Sequence, residues 1–198
     1  MQNMSIQSVG KRMLEGNRRY AAGLQLQADI CAHRRRDTAA GQHPCAAVVA
    51  CSDSRVPVEH LFDMGVGDLF VVRVAGNVVG LHEAGSLEIA VKKLHVPFVL
   101  ILGHTGCEAV SAALSGQGAD GAIGSLIKKI APAVDRAKNS GTSGRELLRV
   151  ACIENVHQAI ADLLNLSSAV KAAAGRGMVT VAGALYDIET GGVIGLEV

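Results

Sequence analysis

The sequence predicts an α/β fold in which a mainly parallel central sheet is flanked by helices. The segments with strand character are continuous apolar runs, which are typical of strands covered on both faces. Stretches with helical periodicity separate these segments, and strands that alternate with helices form parallel sheets. We expect about four parallel strands, followed by one antiparallel strand at the C-terminus.

The first part of the chain predicts a helical arm. Apolar residues recur at helical spacing over residues 5–22 with basic residues between them, and residues 27–40 are expected to form a second helix. We therefore predict a single domain, residues 1–198, that consists of an N-terminal helical arm (1–41) and an α/β core (42–198).

The core is predicted to alternate strands with helices. The first strand, "CAAVVAC" at residues 45–51, is short and apolar and lies between Pro44 and polar residues. Ser143 and Glu146 have the spacing of a capping box before a long helix. The same criteria predict strands at 68–74, 97–103, 178–187 and 192–198, of which the last two form an antiparallel hairpin. Helices are predicted at 82–94, 107–114, 122–138 and 147–164. Loops are predicted at 115–121 and 139–144.

Composition argues against several classes of protein. The net charge is +1, from 19 basic and 18 acidic residues, so no global field favours nucleic acid or a membrane surface. No segment reaches the roughly 18 apolar residues of a membrane helix, and the N-terminus lacks the apolar region of a signal peptide. The five cysteines, an odd number, predict a reducing compartment with thiols that are free or bound to metal. We expect a cytoplasmic protein.

Reactive side chains gather where two of the predicted strands end. Cys51, Asp53 and Arg55 stand at alternate positions past the first strand, so they share one face if the chain stays extended. His104 and Cys107 are three residues apart, where another strand passes into a helix. Loops at the carboxyl ends of parallel strands carry ligands. Two thiols and an imidazole suit tetrahedral Zn²⁺ with one open position, as in a catalytic site.

Simpler interpretations remain open for these residues and for other thiols. His104 can be a helix-start histidine beside a buried thiol, and Asp53 with Arg55 can be a salt bridge that closes a loop. The remaining cysteines are interpreted as small core or near-core residues: Cys31, Cys45 and Cys152. The other histidines are assigned to surface, capping or packing roles, although two could lie near a cleft, His60 and His82.

Four segments, in order and with fitting gaps, carry a family resemblance: "ACSDSRVPVEHLFDMGVGDLFVVRVAGN", "SLEIAV", "LGHTGC" and "ENV". Together they resemble the β-class carbonic anhydrases from about residue 42 to the C-terminus. The resemblance implies one Zn²⁺ per chain, bound by Cys51, His104 and Cys107. It implies that zinc-bound hydroxide attacks CO₂ to give bicarbonate and a proton. Asp53 and Arg55 would be catalytic, with Asp53 a fourth zinc ligand only in a closed, inactive state.

The resemblance also suggests which state this chain favours. Some family members have a bicarbonate-inhibition site with a Trp three residues before the first zinc Cys, and here that position is Val48. Gln42 matches the branch that has a substrate-binding Gln and an open zinc, and Phe70 matches an apolar wall residue of the CO₂ pocket. We therefore predict that Arg55 holds Asp53 away from the metal near neutral pH.

Two positions depart from the family pattern, because Glu108 replaces the usual Gly and Ile89 stands where some members have Tyr. Both affect the expected rate rather than the ligand set. The resemblance implies CO₂ and bicarbonate as the small-molecule partners, no nucleic acid or membrane, and a homodimer or dimer-based higher oligomer whose N-terminal helices wrap the partner. A CS₂ or COS hydrolase of the same fold, or a non-catalytic zinc scaffold or bicarbonate sensor, remains an alternative.

Overall fold

A computed structural model describes residues 6–26, 29–116 and 120–197, without the side chains of residues 6 and 7. Its sheet has the order β2–β1–β3–β4–β5, in which β1 to β4 pair in parallel and β5 pairs with β4 in antiparallel fashion. The predicted fold class is confirmed. The strands are β1 (Ala46–Ala50), β2 (Leu69–Arg73), β3 (Phe98–His104), β4 (Thr180–Tyr186) and β5 (Val193–Leu196).

Helices cover both faces of this sheet. They are α1 (Ile6–Ala21), α2 (Ala32–Thr38), α3 (Val58–Leu61), α4 (Leu81–Lys92), α5 (Glu108–Ser115), α6 (Gly121–Lys138), α7 (Gly144–Leu166) and α8 (Ser168–Gly175). The predicted helices are confirmed, mostly within one to three residues, and the second is shorter at its start. Residue 5, residues 27–28, residues 117–119 and residue 198 of the predicted elements lie outside the described residues. A single 3₁₀ turn, Ala75–Asn77, follows β2.

Two helices were not predicted. α3 has one turn, which is too short to show a 3.6-residue period. α8 begins directly after α7 because Ser167 ends one helix and caps the next, where its hydroxyl accepts a hydrogen bond from Val170 N–H at 3.1 Å. The predicted capping box is only half right, because Ser143 is the N-cap residue of α7 but makes no side-chain capping bond.

The core lies on both faces of β1, which explains why that strand is a continuous apolar run. Ala46, Val48 and Ala50 pack with α1 and α3 on one face. Ala47 and Val49 pack with α4, α7 and α8 on the other. All five residues of β1 are fully buried. The end of β1 is therefore a rigid platform from which the next residues leave the sheet.

The helix of the N-terminal arm packs on its own chain. Val9 and Met13 of α1 are buried in the core beneath the sheet. Asn17 donates hydrogen bonds to the carbonyl oxygens of Leu61 and Gly191 at 3.2 and 2.9 Å. α1 is thus part of the core, and only its outer side is free for contact with another molecule.

The three remaining cysteines differ in their surroundings. Cys31 is exposed and caps α2, where its sulfur accepts a hydrogen bond from Arg34 N–H at 3.4 Å, so its prediction as a core or near-core residue is wrong. None of the residues of α2 is buried, so a thiol at its start stays in contact with solvent. Cys45 is half-buried and Cys152 is buried, as predicted.

Candidate metal centre

The topology brings Cys51, His104 and Cys107 together. Cys51 directly follows β1, and His104 is the last residue of β3. β1 and β3 are parallel neighbours, so their carboxyl ends lie side by side. A tight turn then places Cys107 at the N-cap of α5. All three residues are buried.

The distances within this group fit a tetrahedral metal ion. The two sulfurs, Cys51 Sγ and Cys107 Sγ, lie 3.9 Å apart. All three ligand atoms lie within 4.8 Å of one another. Two Zn–S bonds of about 2.3 Å at a tetrahedral angle would separate the sulfurs by roughly 3.8 Å. The donor set fits Zn²⁺, and the separation of the two sulfurs is that of a tetrahedral site.

The imidazole of His104 is oriented for metal binding. Its Nδ1 lies 2.9 Å from the carbonyl oxygen of Thr105. Because a carbonyl can only accept, Nδ1 carries the proton and Nε2 carries the lone pair. Nε2 is buried and has no hydrogen-bond partner among the described residues. A buried ring nitrogen with a free lone pair, held from its other side by a carbonyl, is the usual arrangement of a histidine metal ligand.

The sulfur of Cys51 is held by backbone donors. It accepts N–H groups from Asp53 at 3.4 Å and from Gly76 at 3.3 Å. The pKa of Cys51 is well below its ordinary value, first because of its hydrogen bond with the Cys107 thiol and also because of these two N–H groups. The pKa of Cys107 is raised, because it shares that proton with Cys51 and is buried. The backbone donors therefore favour the thiolate form of Cys51, which is the form that binds a cation.

Asp53 and Arg55 form a bidentate ion pair at the edge of this group, which is the arrangement expected of the open state. Arg55 Nε donates to Asp53 Oδ1 at 3.0 Å and Nη2 donates to Oδ2 at 2.7 Å. The Arg55 backbone N–H also reaches Oδ1, at 2.9 Å. The pKa of Asp53 is held well below its usual range, chiefly by the Arg55 hydrogen bonds. Asp53 Oδ2 nevertheless lies only 3.9 Å from His104 Nε2, so the carboxylate borders the metal position.

Arg73, a residue that the sequence did not single out, fixes the segment that carries Cys51 and Asp53. From the end of β2 it donates Nε to the carbonyl oxygen of Cys51 at 3.1 Å and Nη2 to that of Asp53 at 2.6 Å. β2 is in register with β1, where Arg73 pairs with Ala50. A basic residue at the end of a strand beside the site was the only signal available.

Comparisons with known proteins agree with this site. The family model described as "Carbonic anhydrase" matches residues 46–193, which include all three candidate ligands. "Carbonic anhydrase 2" of Mycobacterium tuberculosis is 36% identical over 197 residues, covering 96% of this chain and 93% of that protein. The structure of the β-carbonic anhydrase CcaA superposes with a TM-score of 0.76 at 27% identity, covering 95% of both chains. The chain belongs to the β-class carbonic anhydrases.

A further β-carbonic anhydrase structure bears on assembly. One of two tetrameric β-carbonic anhydrases from the fungus Sordaria macrospora superposes with a TM-score of 0.71 at 26% identity, covering 84% of this chain and 90% of that one.

In the parts of the chain that the structure describes, none of the helices is long and apolar enough to cross a membrane.

The two residues predicted to bind substrate lie in the segment before β1 and on β2. Gln42 is exposed in the segment before β1. Phe70 lies on the edge strand β2, in register with Ala47 of β1. Ala47 is four residues before Cys51, so Phe70 and Cys51 are separated by roughly 13 Å along the strand direction, at about 3.3 Å per residue. Phe70 packs partly against the core, so this side chain has a structural role within one chain.

The two departures from the family pattern lie on the surface. Glu108 is exposed in the first turn of α5 and lies near Arg55, whose raised pKa results first from Asp53 and to a smaller degree from Glu108. Ile89 is 52% exposed on α4. His60 and His82, which could have lain near a cleft, are both exposed.

Proposed function

We propose that this carbonic anhydrase, a lyase, hydrates CO₂ reversibly to bicarbonate and a proton with one Zn²⁺ held by Cys51, His104 and Cys107. The family supports the general reaction, with named carbonic anhydrases matching nearly the whole chain. The observation that carries the metal assignment is the unpaired, buried Nε2 of His104 facing two thiols within 4.8 Å.

When bound, Zn²⁺ acidifies a water ligand and stabilises negative charge that develops on the substrate. The chain supplies the rest. Thr105 keeps the lone pair of His104 on Nε2, and Arg73 fixes the backbone that carries Cys51. Arg55 binds both oxygens of Asp53, which remains ionised and can accept a proton from water beside the site while it is kept from becoming a ligand. Asp53 and Arg55 are thus the proposed catalytic pair, in the open state.

We also propose that Gln42 and Phe70 bind substrate across a dimer interface beside β2. The support is that β2 is a free sheet edge and that the neighbouring helix α4 exposes Leu81 and Ile89, at 74% and 52%. Analytical ultracentrifugation should show a dimer or a multiple of it. A species of single-chain mass at working concentration would contradict this assembly.

The cytoplasmic location is a proposal that rests on the cysteines. The chain has an odd number of cysteines, five, which is typical of a reducing compartment where thiols are free or bound to metal. Fractionation of the source cells should recover the protein with cytoplasmic markers, and its recovery in an oxidising extracytoplasmic compartment would contradict this location.

The function is tested by stopped-flow CO₂ hydration together with zinc analysis. We expect the purified protein to contain one zinc per chain, to lose catalysis when zinc is removed by a chelator and to recover it when zinc is restored. A fully zinc-loaded protein that leaves the hydration rate at that of buffer would reject the proposal. In that case hydrolysis of CS₂ or COS by the same sample would identify the alternative enzyme.

The exposed position of Glu108 predicts that it does not impair catalysis. We expect Glu108→Gly to change the kcat/KM of CO₂ hydration by less than about threefold, because an exposed charge is screened by water and salt. Glu108→Gln is the matched control, since it removes the charge but keeps a helix-forming side chain. A large gain in rate in both variants would instead indicate a chain that has become a zinc scaffold or sensor through this residue.

A further inference from the structure

Gly76 connects the metal centre to helix α7 through the two peptide groups that flank its Cα. Its N–H donates to Cys51 Sγ at 3.3 Å, and its carbonyl oxygen accepts a hydrogen bond from Asn155 Nδ2 at 2.7 Å. Asn155 and Gly76 are both buried, and Asn155 is only 1% exposed. A side chain on α7 therefore reaches a metal-binding sulfur through a single intervening residue.

The Gly76 backbone has a conformation that needs external support. Its φ of +71° lies in the left-handed region, which glycine adopts at little cost. A Cβ at this position would lie 2.8 Å from Ile130 Cδ1 and 3.2 Å from Ala109 Cβ, so a larger residue would have to displace both neighbours and also adopt a strained φ. Glycine is also the residue with the greatest backbone freedom, so the angle between its two peptide groups depends on the hydrogen bonds that hold them. The Gly76–Asn77 peptide is held on one side by the Asn77 N–H, which donates to the Val74 carbonyl at 3.0 Å, and on the other by the Asn155 amide.

We propose that Asn155 is a positioning residue of the metal centre, which keeps the Gly76 N–H aimed at the Cys51 sulfur by holding the Gly76 carbonyl. Asn155 touches no ligand atom itself. A hydrogen bond to a thiolate draws negative charge from the sulfur, so Asn155 sets how much charge Cys51 presents to the cation. This inference rests on the zinc site proposed above, and it assigns a role to the "ENV" segment.

The competing explanation is that Asn155 only joins α7 to the turn after β2. A buried amide elsewhere in the chain offers a matched control. Asn17 is 4% exposed, donates to two backbone carbonyls and accepts from Val193 N–H at 2.8 Å. These bonds lie under the opposite face of the sheet, where no metal ligand takes part. Asn17→Ala therefore reproduces the loss of buried amide bonds without touching the site.

The test measures zinc affinity by chelator competition and the energy of the sulfur-to-metal charge-transfer band of the cobalt-substituted protein. It uses wild-type protein, Asn155→Ala, Asn17→Ala and Asn155→Leu, which keeps the branched shape but has no N–H donor. We expect both Asn155 variants to bind zinc about 10- to 100-fold more weakly, the usual effect of losing a residue that orients a ligand. We expect their charge-transfer band to move to lower energy, because a sulfur with fewer hydrogen bonds gives up charge more readily. Asn17→Ala should lose thermal stability with neither change.

The outcomes separate this inference from the zinc site itself. Wild-type protein that binds no zinc would reject the site and the inference with it. Wild-type protein that binds zinc, with Asn155→Leu matching it in affinity and band energy, would reject the positioning role alone. Equal changes in the Asn17→Ala and Asn155 variants would also reject it, since they would reflect a general loss of stability.

Discussion

Replacement of His104 by alanine is expected to weaken zinc binding by more than about 100-fold, beyond the usual effect of losing a residue that only orients a ligand. CO₂ hydration should fall to the rate of buffer. The reason is geometric, because Nε2 of His104 is the only nitrogen in the group of three and two sulfurs alone cannot close a tetrahedral site around the metal. Zinc content after dialysis and stopped-flow hydration measure the two effects.

This prediction needs variants that separate ligand loss from damage to the core. His104 is fully buried, so alanine also leaves a cavity. Cys107→Ser changes one atom and should lose zinc to a similar extent while the protein remains folded. His82→Ala and Cys31→Ser remove an exposed imidazole and an exposed thiol and should retain zinc and activity. Retention of zinc at wild-type affinity in both His104→Ala and Cys107→Ser would show that the metal binds elsewhere.

Replacement of Arg55 by alanine is expected to lower the kcat/KM of CO₂ hydration by at least about 100-fold while zinc remains bound. Both oxygens of Asp53 then lose their guanidinium partners, and the carboxylate lies 3.9 Å from His104 Nε2, close enough to turn onto the metal. Arg55→Lys should be nearly as poor, because an ammonium group cannot form the two parallel bonds.

A double variant distinguishes blocking of the metal from simple loss of a charge. If released Asp53 closes the site, Asp53→Ala combined with Arg55→Ala should be no less active than Arg55→Ala alone. Losses that multiply in the double variant would mean that the two residues act independently and that Arg55 does not restrain Asp53. Arg36→Ala, on the surface of α2, serves as the control and should leave the rate unchanged.

The sheet was predictable because its physical signal is local. A strand covered on both faces has apolar residues at every position, and β1 shows this pattern in five residues without interruption. The short helix α3 lacked such a signal, since four residues cannot display a helical period. The role of Ser167 as both the end of one helix and the cap of another also depends on the chain turning sharply, which composition does not reveal.

The metal group was predictable from chemistry and topology together. Cys51, His104 and Cys107 are ligand types at the ends of neighbouring parallel strands, and the alternation of Asp53 and Arg55 placed an acid and a base next to them. Their pairing is observed at both carboxylate oxygens. The family resemblance predicted which residues bind zinc and which restrain Asp53. The structure shows that the three ligand residues lie together and that Arg55 binds Asp53.

The supporting residues could not be predicted because their function depends on distant packing. Arg73 acts through backbone carbonyls 20 and 22 residues earlier in the chain, and Asn155 acts through a glycine 79 residues away. No spacing rule joins such positions. Gln42 and Phe70 illustrate a second limit, since a single chain places Phe70 four strand positions from Cys51 and their proposed role depends on a second copy.

A crystal structure of the zinc-loaded protein near neutral pH tests the central claim most directly. We predict zinc bound to Cys51 Sγ, His104 Nε2 and Cys107 Sγ, with the Asp53 carboxylate on the Arg55 guanidinium and a solvent molecule in the fourth position. Zinc bound through an oxygen of Asp53, or bound away from these three residues, would contradict it.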